Sequence, residues 1–250
     1  MKRILTILCL LATLTVHAQN TNERIYTLIG EARWFDLARE LEITPTGSVD
    51  PLLHKMAKAM TYHYFNKPDS VCSVLSDLLN NHQEELGSST LSMATLMGMN
   101  LARTNNYAEA ASLMQSLYGQ MKAQGTDSTQ ANGYLMLARQ YKAYAENAPI
   151  CHPLHPTGTY RIPMKTDNTM HKAKDKTSNG HLITMDGRIN GHGSTLVFDT
   201  GAGVNIISPT QARDYGLRKL DATSPMAGIG TQQGFYALAD TLRIGGMAWT

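Results

Sequence analysis

Asp199-Thr200-Gly201-Ala202 is the stretch of this chain whose residue types and spacing best suit chemistry. It follows the apolar run Leu196-Val197-Phe198 and precedes Val204 and Ile206-Ile207. A carboxylate at the end of such a strand stands beside apolar walls, where charge is costly. That is a setting for acid–base work by a carboxyl group. Gly201 permits a tight turn and close approach by another chain, and Thr200 supplies a hydroxyl that can lock the turn by hydrogen bonds. Asp-Thr-Gly alone arises by chance in roughly one chain of this length in twenty, so the surroundings carry the weight. The bland alternative is a structural aspartate that caps the turn into the next segment.

Other candidates carry less. Cys151-His152-Pro153-Leu154-His155 has metal-binding residue types but no second ligand pair at a suitable spacing, so no metal is expected. His181 and His192 lie near Asp199 in sequence, yet no nucleophile is placed to use them, and they read as exposed turn residues. Tyr62, Tyr64 and Phe65 read as helix core. Cys72 and Cys151 could pair in an exported chain, or stand as two free buried thiols; the sequence leaves both open.

The elements that must position Asp199 are β-rich. Leu182, Ile183, Met185 and Ile189 alternate with polar residues around an expected turn at Asp186-Gly187, and Asn190-Gly191 with His192-Gly193 marks a further turn. Leu196 to Phe198 is a short strand. Pro209 to Tyr215 predicts a helix closed by Gly216-Leu217. The pattern continues to Thr250.

In this region the chain resembles the retropepsin-like aspartic proteases, especially bacterial exported ones. Arg188-Ile189-Asn190-Gly191 resembles the hairpin before the active-site strand, and Phe198 to Ala202 the catalytic loop. Ser208 to Leu217 resembles the helix after it. Gly228, Ile229, Gly230 and Thr231 resemble the tip of the flap hairpin over substrate, within Met226 to Ala237, and Leu242 to Gly246 the strand and turn beyond. The resemblance spans about residues 180–250. It implies a barrel in which two aspartates share one proton, because like charges so close cannot both ionise. It implies Asp199 as one catalytic carboxylate, Thr200 as the brace between two loops, and the Gly201 amide as a donor to the carboxylate. It implies no cofactor and no metal, and a peptide or protein as substrate. One Asp-Thr-Gly per chain implies a homodimer. The family's later apolar-apolar-Gly element has no counterpart before Thr250, so the barrel is expected to be truncated at its C-terminus.

Residues 22–146 read as helical. Leu101-Ala102-Arg103 with Tyr107-Ala108-Glu109 recurs as Leu137-Ala138-Arg139 with Tyr144-Ala145-Glu146, and Ala32-Arg33 before Trp34 is an earlier copy. Met93, Met97 and Leu101 share a helix face, Thr104-Asn105-Asn106 breaks the helix, and Asn66-Lys67-Pro68-Asp69 is a second turn. The region loosely resembles tetratricopeptide repeats, which implies a protein partner on the helices. A plain helical bundle is the alternative.

Lys2 and Arg3 before the apolar run Ile4 to Val16, with Ala18 after it, predict a signal peptide. The run is too short to span a bilayer, so no stable membrane span remains after cleavage. Removing Lys2 and Arg3 brings the 22 basic residues level with the 20 acidic ones, which argues against nucleic acid as a partner. The expected organisation is α+β in two domains. A signal peptide over 1–18 precedes a helical, repeat-like domain over 19–148. A linker over 149–179 leads to the all-β, retropepsin-like domain over 180–250. The leading function is an exported endopeptidase, periplasmic or secreted. The alternative is a helical binding module carrying an inactive protease-like remnant.

Overall fold

The computed structural model of the chain describes residues 21–155, 157–173, 176–228 and 230–250. The expected signal peptide and Ile229 lie outside these residues. The chain combines α-helices with antiparallel β-sheets and divides into two compact units, at Lys142 and Ala143.

The first unit is built of helical hairpins. Its helices are α1 (21–30), α2 (Trp34–Ile43), α3 (Pro51–Tyr64), α4 (Pro68–Asn81), the single turn α5 (Gln83–Leu86), α6 (Thr90–Arg103), α7 (Tyr107–Ala123) and α8 (Ser128–Ala145), whose last turn belongs to the second unit. Three hairpins turn in the same way. Ala32, Asn66 and Asn105 have left-handed backbones, with φ of 54°, 53° and 62°. The next amide then reaches back to a carbonyl five residues earlier: Arg33 to Leu28 at 2.9 Å, Lys67 to Tyr62 at 2.8 Å, Asn106 to Leu101 at 2.9 Å. This is the helix ending in which a left-handed residue lets orphan carbonyls be satisfied. Asparagine tolerates that backbone well. Pro68 then starts α4 where a missing amide costs nothing.

The copy expected at Leu137 to Glu146 does not turn. Those residues run on through α8 up to Ala145, because nothing between Arg139 and Tyr144 corresponds to Asn105-Asn106. The recurrence that folds is therefore 32, 66 and 105, with a glycine version of the same ending at Gly125 (φ 70°), where the Thr126 amide reaches the Met121 carbonyl at 3.0 Å. The longer second interval accommodates α5 and the 3-10 turn after it.

Two apolar clusters hold this unit. Ile25, Leu28, Leu37, Val49, Leu53 and Ala57 form one, and Ala59, Val71, Leu75, Leu78, Leu86 and Met93 the other. Each large side chain so buried contributes about 1.5–3 kcal/mol. Tyr64 and Phe65, expected in the core, are exposed instead. They sit past the buried stripe of α3, where Tyr64 stacks on Trp34 at 3.8 Å and Phe65 meets Phe35 edge-on at 5.1 Å. Among the described residues no helix is long and apolar enough to cross a membrane.

The second unit is a sheet of β1 (Met164–Ala173), β2 (Lys176–Ile189), β3 (His192–Val197), β6 (Leu242–Ile244) and β7 (Met247–Trp249), with a separate hairpin of β4 (Arg218–Gly228) and β5 (Gly230–Leu238). A short helix, α9 (Pro209–Asp214), lies between β3 and β4. All pairings are antiparallel. β2 is the centre: it pairs with β1, β3 and β6. Ala143 and Tyr144 pack with Leu220, Ala222, Tyr236 and Leu238.

Two expectations change here. The segment expected as a linker over 149–179 carries structure. Its residues 152–154 run beside β7, with His152 and Thr250 exchanging both backbone hydrogen bonds at 2.7 and 3.0 Å. Its later part forms β1 and the start of β2. Sequence alternation misses these strands because their residues are mostly polar and show no apolar period. Among the described residues, Cys72 and Cys151 are free thiols and no cluster of side chains could hold a metal ion.

Asp186-Gly187 is not a turn. Both residues lie in β2, opposite Thr195 and Ser194 of β3, and Gly187 also faces Ile244 of β6. A β-carbon on Gly187 would stand 2.6 Å from Leu196 Cδ1 and 3.1 Å from the Arg243 carbonyl oxygen. The glycine marks close approach inside a strand, not a reversal. Gly187→Ala is expected to destabilise the sheet by about 1–3 kcal/mol. Denaturant unfolding followed by Trp249 fluorescence in a Trp34→Phe background measures it.

Candidate active site

Asn190 and Gly191, with φ of 49° and 83°, form the reversal that launches β3 and have the backbone signs of the two-residue turn that best matches strand twist. β3 pairs along β2 from Ile189↔His192 to Thr184↔Val197. One further hydrogen bond, from the Phe198 amide to the Ile183 carbonyl at 2.8 Å, carries the ladder to Phe198. Asp199 is the first residue beyond it.

The turn at Asp199 is held by its own side chain. Oδ1 accepts from the Gly201 amide at 2.8 Å, and the Asp199 carbonyl accepts from the Ala202 amide at 3.3 Å. A β-carbon on Gly201 would lie 3.3 Å from Oδ1, so glycine keeps that contact short. Among the described residues Asp199 meets no cation and no second carboxylate. Among the described residues the Thr200 hydroxyl has no hydrogen-bond partner.

The expected apolar walls do not enclose the carboxylate. Asp199 is exposed, and Phe198, Val204 and Ile206 are 45%, 60% and 69% exposed. Among the described residues, 203–207 form no strand and no backbone hydrogen bond. Their apolar pattern is that of a covered strand, but no described strand pairs with them.

Downstream, Ser208 caps α9 by accepting from the Gln211 amide at 3.2 Å, with Pro209 in the first turn. Gly216 takes a left-handed backbone, and Leu217 returns a hydrogen bond to the Ala212 carbonyl at 2.8 Å. The helix is pinned to β3: Tyr215 stacks on His192 at 5.0 Å with the rings 11° apart. His192, expected as a plain turn residue, therefore opens β3 and anchors α9.

Asn190 is a positioning residue that sequence reasoning passed over as a turn former. Its Nδ2 donates to the Tyr215 carbonyl at 2.9 Å, its Oδ1 accepts from the Thr241 amide at 3.0 Å, and its own amide donates to the Thr241 carbonyl at 2.9 Å. One side chain thus joins the end of β2, the end of α9 and the approach to β6. An asparagine, rather than aspartate, before Gly191 was the available signal, since a carboxamide donates and accepts at once and a carboxylate only accepts.

The stretch that resembles a flap lies in the β4–β5 hairpin. Gly228 pairs with Gly230 and Ala227 with Thr231, and the ladder shifts register between Lys219 and Thr223. Ile229 is outside the described residues. The hairpin forms a sheet of its own and shares no ladder with β3. Phe235 lies beneath the Lys219 ammonium, 4.9 Å from the ring centre.

No protein-family model matches the chain, and no curated protein or solved structure matches it either.

Asparagine at 199 keeps an oxygen where Oδ1 stands, whereas alanine leaves the Gly201 amide without its partner. Asp199→Asn is expected to keep stability within about 0.5 kcal/mol and Asp199→Ala to lose about 0.5–1.5 kcal/mol. Equilibrium unfolding of both variants tests this.

Proposed function

We propose that the second unit is half of an aspartic endopeptidase active site similar to those of the retropepsins, completed when two chains bring their Asp199 carboxylates together. The observation that carries this reading is the placement of Asp199. It stands at the exposed end of a strand, its orientation set by the Gly201 amide, with no cation of the described chain to neutralise it. The order of elements supports the reading: a hairpin, a strand, the Asp199 turn, a short capped helix, then a long hairpin. The exposed side chains of Phe198, Val204 and Ile206 support it as well, because apolar residues beside a turn of this kind call for a covering chain.

In the proposed reaction the two carboxylates share one proton. The ionised one takes a proton from water, which attacks the scissile carbonyl, while the protonated one supports the oxygen that gains charge. Thr200 and Ala202 shape the loop, and the β4–β5 tip, from Gly228 to Thr231, covers an extended peptide. No cofactor takes part. A closed barrel formed by the two sheets, and an exported location, belong to the same proposal.

A second reading has its own support. Trp34, Phe35, Tyr64 and Phe65 form a partly exposed aromatic group on the helical unit, and such groups serve protein binding. On that reading the helices hold a partner and the sheet unit performs no hydrolysis.

Hydrolysis of a mixed peptide library between pH 4 and 7 separates the two. The endopeptidase reading expects specific activity to rise with protein concentration, as pairing of chains requires. It expects at least a ~100-fold loss in Asp199→Asn. Equal hydrolysis by that variant, or none by the wild type at any concentration, refutes it.

A further inference from the structure

His63 lies in the last turn of α3 and is buried, with 8% of its surface exposed. Its Nδ1 faces two groups on α6. Asn100 Nδ2 stands 2.9 Å away and Arg103 Nη1 3.1 Å away. Asn100 is fully buried, and its Nδ2 also donates to the Leu96 carbonyl at 2.7 Å, which fixes the amide with its nitrogen on that side. A guanidinium can only donate. Both neighbours are therefore donors, and Nδ1 must be the acceptor. A neutral ring with its hydrogen on Nε2 satisfies both donors. Arg103 Nη1 also donates to the His63 carbonyl at 3.2 Å, so one guanidinium spans ring and backbone.

We propose that His63 is an acid-sensitive latch between the ends of α3 and α6: as a neutral imidazole it joins the two helices, and its protonation lets them part. A proton on Nδ1 would face two donors, one of them a cation. The other groups near the ring do not offset this. Tyr64, on the same helix, presents its ring edge-on to His63 at 5.1 Å. Among the described residues the Asn100 oxygen, 3.3 Å from Nδ1, is the group that favours the charged form, and no carboxylate acts on the ring. Burial first, and then Arg103, hold the imidazole below the ordinary histidine value.

The sign follows from this depression. The folded chain binds the proton less well than the unfolded chain, so the latch contributes fully above about pH 6.5. The contribution is lost as the pH falls from there towards the lower folded value. His54, earlier on α3, is likewise held below the ordinary histidine value, by burial first and then by Lys58, so the seam at His63 is read from the segments that meet there.

Hydrogen exchange of the whole chain at pH 7.5 and 5.0, corrected for the intrinsic rate, tests the latch. Protection over 61–67 and 100–106 should fall about tenfold more than over 121–126, where a similar helix ending occurs without a histidine. His63→Asn places an oxygen acceptor that takes no proton in this range, and its protection should be the same at both pH values. Arg103→Met should raise the His63 titration midpoint, followed by the imidazole nitrogen shifts. Those shifts should place the hydrogen on Nε2 at pH 7.5. An equal loss of protection in His63→Asn overturns the proposal. So does a wild-type ring charged, or protonated on Nδ1, at pH 7.5. If His63→Asn does not fold, the nitrogen shifts and the Arg103→Met midpoint decide alone. None of these readings involves Asp199, so they stand or fall apart from the proposed hydrolysis.

Discussion

The sheet unit depends on β2 having partners on both edges. Among the described residues β3 is laddered to no other strand, so the strand that ends at Asp199 is carried by the β2–β3 ladder. Gly187 makes that arrangement possible, because the Leu196 side chain and the Arg243 carbonyl occupy the space a β-carbon would need. Backbone pairing, more than side-chain burial, holds this unit. The largest fully buried side chains of the described chain, Ile25, Leu37, Leu53, Leu75, Leu78, Met114, Val71 and Asn100, all lie in the helices.

That difference bears on the chemistry. A carboxylate whose turn is locked by its own Oδ1 is oriented but not desolvated, and orientation is only half of what acid–base catalysis asks. On the proposed reading the other half is a dry, low-dielectric surrounding with a second acid. The exposed Phe198, Val204 and Ile206, and the unpaired backbone of 203–207, are the surfaces on which a covering chain would supply it. Asn190, through three hydrogen bonds, keeps α9 and the approach to β6 in place around the same loop.

The helical unit is organised differently. The same left-handed ending at Ala32, Asn66 and Asn105 sets each hairpin, and apolar clusters then fill the space between them. Its polar exceptions stand out against that background. Asn100 is fully buried against Nδ1 of His63, and unpaired polar groups in such a place are costly. The Arg103 guanidinium completes the set, which makes the seam dependent on the protonation state of one ring.

Much of this was legible along the chain. Asn66-Lys67-Pro68-Asp69 and Thr104-Asn105-Asn106 announce their turns because a left-handed backbone and a helix start need those residue types. Asn190-Gly191 announces a hairpin, and Ser208-Pro209 with Gly216 brackets α9, for the same local reason. The sequence by itself determined these turns and caps, and the local geometry of the Asp199 turn, since each involves neighbours within a few residues. Only the tertiary structure decided what lies across space. It put Gly187 inside a strand and paired the polar residues 164–173 and 176–179. It kept Leu137 to Ala145 in one continuous helix, left Tyr64 and Phe65 outside the core, and brought His63 to Asn100 and Arg103. Those outcomes depend on contacts between distant residues, where burial and pairing override the local pattern, and no spacing along the chain records them.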